Sequence, residues 1–200
     1  MSVALDFWFE FASTYSYPAA MRMEAAAQAK GVAVNWRPFL LAPIFASQGW
    51  NDSPFNIYPT KGAYMWRDLE RVCREHGYGF RKPRLFPQNG LKAARIALVA
   101  ADEGFAPAFT RWVYVANFVQ GENISDDNVL ATILKKLDQS PDLVFEKANS
   151  PENKERLKTQ TQEAIGKGIF GSPSFAVGTE LFWGNDRLEQ ALDWAVKEAG

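Results

Sequence analysis

The chain has 200 residues, 47% of them apolar and 22% charged, enough for one sizeable core or a core with an inserted subdomain. Its 22 basic and 23 acidic residues leave a formal net charge of -1 and are spread along the sequence. That excludes an electrostatic footprint for nucleic acid or an anionic membrane, and no apolar run approaches a membrane span.

The N-terminus carries Asp6 and Glu10 where a signal peptide needs a basic head and an unbroken apolar stretch, so the expectation is a soluble, cytoplasmic protein. The aromatic run Asp6-Phe7-Trp8-Phe9-Glu10-Phe11 is rich in strand formers, and Tyr17-Pro18-Ala19-Ala20-Met21 opens a helical pattern. The reading is a strand that stops at Ser13 and feeds a helix. In α/β sheets chemistry gathers at such a place, because a helix N-terminus offers free N–H groups and a positive dipole end. Ser13 is therefore the candidate reactive position, although a serine at such a boundary is more commonly a helix cap.

The alanine-rich helix ends at Lys30-Gly31, and Val32 to Phe39 reads as a second strand. Leu40 to Pro59 has no clear period and holds three prolines, which predicts a long loop or short helices reaching over the site. From Thr60 to Gly168 the pattern is helix after helix. Met65, Leu69, Val72, Cys73 and His76 share one face before Gly77. Leu91, Ala94, Leu98 and Ala101 follow, ended by Gly104, and then comes a stripe from Phe109 to Val119 behind Pro107. Ser125 reads as an N-cap ahead of Asp126 and Asp127, and Ser140-Pro141 and Ser150-Pro151 as capping serines before first-turn prolines. Strands return at Ser174–Val177 and Glu180–Phe182 as a hairpin, and Asp186 opens a last helix. The fold class is α/β. A β-α-β half and a β-β-α half give a thioredoxin-like fold with an all-helical insert, divided as residues 1–59 and 169–200 around 60–168.

A single cysteine, Cys73, forbids an internal disulfide and any metal site built on paired thiols, and no metal is expected. Cys73 on an apolar helix face reads as a packing residue, and His76 near the end of that helix as packed or dipole-stabilising.

Four stretches carry a resemblance: Ser13-Thr14-Tyr15-Ser16-Tyr17; Arg37-Pro38-Phe39-Leu40-Leu41; Lys61 to Leu69; and Gly171-Ser172-Pro173-Ser174-Phe175 with Phe182-Trp183-Gly184-Asn185-Asp186-Arg187. Together they resemble the 2-hydroxychromene-2-carboxylate isomerases and kappa-class glutathione transferases, in the DsbA-like branch of the thioredoxin superfamily. Thr14 stands where that family usually has proline. Thioredoxin-like oxidoreductases need Cys-x-x-Cys here, and this chain has Ser13 and Ser16, so it cannot run dithiol chemistry by itself, and if it works on thiols the thiol must come in as a cofactor. The resemblance implies glutathione, with Ser13 holding its thiolate, Ser172 and a cis Pro173 pairing with its cysteinyl backbone, and Asn185 and Asp186 holding its γ-glutamyl end. Asn51 and Lys61 match family positions near glutathione. It further implies a small aromatic carboxylate as substrate, isomerised in aromatic hydrocarbon catabolism, and a homodimer. Two alternatives share the sequence features: a kappa-like transferase conjugating electrophiles, and a non-catalytic thioredoxin-like binding module.

Overall fold

A computed structural model describes residues 4–199. The first strand, β1 (Ala4–Phe9), runs into α1 (Ser16–Lys30) and back through β2 (Ala33–Pro38) parallel to β1. Gly31 closes α1 in the left-handed conformation at φ 66, its N–H and that of Val32 returning to Gln28 and Ala27 carbonyls. After the short helices α2 (Leu41–Ser47) and α3 (Pro54–Ile57) come six more: α4 (Pro59–Glu75), α5 (Leu91–Glu103), α6 (Ala106–Val115), α7 (Asp127–Lys136), α8 (Pro141–Asn149) and α9 (Pro151–Gly166). A π-helical turn, Ala116–Gln120, extends α6. The hairpin β3 (Ser174–Val177) and β4 (Glu180–Trp183) follows, then a 3-10 turn over Asn185–Arg187 and α10 (Leu188–Ala199).

The four strands lie in the order β2-β1-β3-β4, β3 pairing antiparallel with β1 and with β4. Side chains alternate across a strand, so β1 packs in both directions. Leu5, Phe7 and Phe9 enter a core that also takes Trp36, Phe175 and helical residues such as Leu98, Val113 and Leu130. Trp8 faces the other way, against Phe39, Ile44, Ile169 and Ala176. Phe7 meets Trp36 edge-on at 5.1 Å and Phe175 in a stack at 5.6 Å, so the aromatic run that signalled a strand also fills the interface between sheet and helices. The consequence for function lies at one end of the sheet. The ends of β1 and β4 and the start of β3 lie together there.

Three boundaries differ from the sequence reading. Strand β1 stops at Phe9, four residues before Ser13. The cap of α7 is Asp126, whose carboxylate accepts the Asn128 N–H at 2.8 Å, and Ser125 instead donates to Asn123. His76 is exposed at the end of α4 and stacks on Tyr78, because the helix is already turning off its buried face there.

Candidate active site

The loop from Glu10 to Tyr15 explains why β1 ends early. The Glu10 N–H leaves the ladder and donates to the Ser172 hydroxyl at 3.0 Å. The Glu10 carbonyl accepts the Ser13 N–H at 3.0 Å and the Tyr114 hydroxyl at 2.9 Å, and Asn117 Nδ2 donates to the Phe11 carbonyl at 3.1 Å. The Glu10 carboxylate folds under the loop and accepts the Ala12 N–H at 2.8 Å. Its other oxygen lies so near Gly90 that a Cβ there would sit 3.0 Å from it, and 3.0 Å from the Phe11 Cβ. Desolvation pushes this carboxyl up to about 7, against the lowering pull of the N–H groups of Ala12 and Ser13. Backbone groups that would otherwise be orphaned are thus satisfied without a strand.

At the tip of this loop the Ser13 hydroxyl donates to the Ser172 carbonyl at 2.8 Å. The Ser16 N–H reaches Ser13 Oγ only at 3.4 Å, so capping is the weaker of its two roles. Ser16 Oγ and Ser172 Oγ lie 2.7 Å apart as a hydroxyl pair. The Ser172–Pro173 peptide bond is cis, as the resemblance implies, and the Pro173 carbonyl accepts the Gly184 N–H at 3.0 Å. Hydroxyls thus occupy the ground where dithiol enzymes keep sulfur. Cys73 lies inside α4, buried, and burial pushes its thiol up to about 12, which leaves almost no thiolate at neutral pH.

The Gly184 bond ties the Ser13 and Ser172 cluster to the turn that opens the last helix. Gly184 has φ 112, and a Cβ there would come within 2.6 Å of Asp186 Oδ1, so only glycine lets that carboxylate fold back over the turn. Asp186 is exposed, whereas Asn185 is buried. Arg22 of α1 donates through Nε to Asn185 Oδ1 at 3.3 Å and through its terminal nitrogens to the Asn185 carbonyl and to Glu189. Trp183, half exposed, lies on the Gly171 backbone and against Phe170, at 4.9 Å between rings.

Lys61 joins from the helical side. Its ammonium lies 6.0 Å from the Phe55 ring, which packs at 6.5 Å on Tyr15 of the Ser13 loop. The Tyr15 hydroxyl donates to Asp68 at 2.8 Å, and burial with that carboxylate raises its pKa. Beside Lys61 opens a cleft of about 690 Å³ lined by Tyr58, Pro59, Thr60 and Tyr64. Asn51 is exposed in the turn between α2 and α3 and, among the described residues, takes no part in the contacts that link the others. Trp8 is wholly buried, Trp66 packs edge-on against Phe86 at 4.8 Å, and Trp183 lies on the backbone of Gly171, the residue before Ser172.

Glu10, Tyr114, Asn117 and Arg22 are the residues that reading the sequence missed. Glu10 alone left a signal, as an acid set in an aromatic run where a strand should continue. The others act from helices distant in sequence and look there like ordinary helical residues.

Residues 4–194 match the DSBA-like thioredoxin domain. The 2-hydroxychromene-2-carboxylate isomerase of Pseudomonas putida is 33% identical over 192 residues, covering 92% of this chain and 90% of that one. The chain belongs to the 2-hydroxychromene-2-carboxylate isomerase family, within the DsbA-like thioredoxin fold. A solved 2-hydroxychromene-2-carboxylate isomerase superposes on this family member with a TM-score of 0.87 at 26% identity, covering 98% of this chain and 95% of that one. The glutathione S-transferase kappa 2 of Caenorhabditis elegans is 26% identical over 210 residues, covering 96% and 92%. Among the described residues no helix is long and apolar enough to cross a membrane.

Proposed function

We propose that this chain interconverts 2-hydroxychromene-2-carboxylate and trans-o-hydroxybenzylidenepyruvate in aromatic hydrocarbon catabolism, with glutathione as cofactor and Ser13 as the catalytic hydroxyl. By family it is an isomerase. The observation that carries the reading is the Ser13 hydroxyl bonded at 2.8 Å to the Ser172 carbonyl, in a cluster of serines, while the chain's one cysteine is buried in α4. The donor set fits the tripeptide, which has a thiol, one ammonium and two carboxylates. Ser13 offers a rotatable O–H, the Ser172 carbonyl an acceptor for a peptide N–H, Asp186 a carboxylate for the ammonium, and Asn185 and Lys61 donors for the carboxylates.

Bound in this way, glutathione supplies a thiolate that adds reversibly to the substrate's double bond and so permits rotation about it without net redox change. Ser13 meets the sulfur through its hydroxyl. In the structure that O–H donates to the Ser172 carbonyl, whose second lone pair is the acceptor for a peptide N–H, and a sulfur brought within reach would offer the hydroxyl an alternative, charged acceptor. A hydrogen bond to the charged form lowers a thiol pKa. From about 8.5 the gain in thiolate at neutral pH is little more than about tenfold, and lower basicity returns part of it. Positioning must supply the rest, which is what the braced loop provides. The cleft beside Lys61 receives the aromatic carboxylate, its ammonium facing the charge and Tyr58 and Tyr64 the ring. Ring opening also moves a proton at the hemiketal oxygen. Lys61 and Tyr64 are two of the proton-bearing side chains lining that cleft, beside Tyr58 and Thr60, and a bound water is a further carrier.

The reading takes residues 60–168 as a helical insertion into a thioredoxin-like domain of 1–59 and 169–200, and the protein as a cytoplasmic homodimer, a point for sedimentation analysis. The decisive test is ultraviolet spectroscopy of the chromene carboxylate with the protein, with and without glutathione. Conversion should require glutathione and leave its amount unchanged, and Ser13→Ala should lose up to about tenfold in rate through weaker thiol ionisation while glutathione still binds. Conversion indifferent to glutathione would overturn the cofactor, and stoichiometric loss of thiol would replace isomerisation by conjugation.

A further inference from the structure

We infer that Arg22 is a positioning residue that sets the orientation of the Asn185 amide, and through it the preference of this site for a carboxylate at the γ-glutamyl end. The inference rests on the proposed glutathione site and adds to it a residue that touches no ligand. A guanidinium carries donors only, so an amide facing it must turn its oxygen inward. Arg22 Nε lies 3.3 Å from Asn185 Oδ1, and a terminal nitrogen takes the Asn185 carbonyl, so side chain and main chain are held by one planar group. With Oδ1 committed, Asn185 Nδ2 is the part left to face a ligand, and it is a donor. The buried amide therefore recognises an anion.

The charge of Arg22 does not explain the effect by itself. Its third contact is an ion pair with Glu189, and the Arg22 side chain is only 14% exposed, so its charge is compensated within the protein. What it supplies is geometry. Arg22 lies on α1, the same helix whose first turn carries Ser16, and Asn185 lies on the turn tied to Pro173 by the Gly184 N–H. Arg22 thereby fixes the turn against the helix that carries the serine cluster.

Calorimetric titration of three peptides tests this: glutathione, 4-aminobutanoyl-Cys-Gly, which lacks the α-carboxylate, and glutaryl-Cys-Gly, which lacks the ammonium. Arg22→Ala should weaken glutathione and glutaryl-Cys-Gly about tenfold while changing 4-aminobutanoyl-Cys-Gly less than about twofold. Turnover at saturating glutathione should stay within about twofold of the parent, so the loss appears in KM. Arg22→Lys keeps the charge but offers a point donor in place of a fork, and should recover only part of the affinity. Equal weakening of all three peptides by Arg22→Ala, or none, overturns the role of Arg22 while leaving the glutathione site standing. Failure of the unmutated protein to bind glutathione would overturn that site and this inference with it.

Discussion

Glu10→Gln offers the sharpest test of how the Ser13 loop is built. The native carboxyl titrates at about 7 against an ordinary 4.5 because burial disfavours its charge more than the Ala12 and Ser13 N–H groups favour it. A carboxyl raised in this way binds its proton more tightly folded than unfolded. Stability should therefore fall as pH rises from 4.5 to 7 and be level on either side. At about 1.4 kcal/mol for each pH unit between the two values, the ionised form costs the native state about 3 kcal/mol. Glutamine keeps an oxygen for the Ala12 N–H and cannot ionise. Its N–H2 group faces Gly90 without a good acceptor, a cost that is independent of pH. Urea denaturation of both proteins from pH 4 to 9 separates the two effects. The stability of Glu10→Gln relative to the parent should rise by about 3 kcal/mol between pH 4.5 and 7, equivalent to about 6 to 12 °C in Tm for a chain of this size. Two stability curves that stay parallel throughout would refute the argument, because the common titrations of all other groups cancel in the difference.

Gly184→Ala puts a Cβ 2.6 Å from Asp186 Oδ1 at φ 112, so the carboxylate must move, and glutathione affinity measured by calorimetry should drop about tenfold. Tyr114→Phe removes one of two donors to the Glu10 carbonyl. The Ser13 N–H remains, so the loss should be about 1 kcal/mol in urea denaturation. Cys73 should react with a thiol reagent only on unfolding, and Cys73→Ala should keep its glutathione-dependent turnover, since the thiol is buried on α4 with its pKa pushed up to about 12.

The parts of the fold that reading the sequence recovered are those governed by local rules. Gly31 and Gly104 stop helices because each sits in the left-handed conformation there, and Ser150 caps α9 through the Asn153 N–H at 3.2 Å. The aromatic alternation of β1 gave the strand, but its end was misread because alternation of residue types continues through Phe11. What ends the ladder is the diversion of the Glu10 N–H to Ser172, a partner 162 residues away. The same distance explains the site. Ser13, Ser172, Pro173, Asn185 and Asp186 come from the ends of strands and the starts of helices, so placing the strands also gathered them. Asn51 does not follow, because it lies in a segment whose path is set by loop packing. Arg22, Tyr114 and Asn117 were not legible, since a residue that braces a loop from a helix face has the same spacing as one that faces solvent.

These braces bear on the proposed role of the Ser13 hydroxyl. A serine cannot form the mixed disulfides by which dithiol enzymes hold their substrates, so everything it does to a borrowed sulfur depends on where its oxygen stands. A hydrogen bond weakens steeply with angle and distance. The carbonyls of Glu10 and Phe11 are clamped by Tyr114 and Asn117 from the α6 side, the Glu10 N–H by Ser172 from the β3 side, and the Ala12 N–H by the Glu10 carboxylate from below. Ser13 itself keeps its short side chain free to rotate, and in the structure its proton is directed at Ser172. The helices between β2 and β3 therefore brace the Ser13 loop, and in the proposed glutathione site they would act through that bracing alone. They hold the loop backbone, so that the proposed thiolate contact calls for a turn of the Ser13 hydroxyl away from the Ser172 carbonyl.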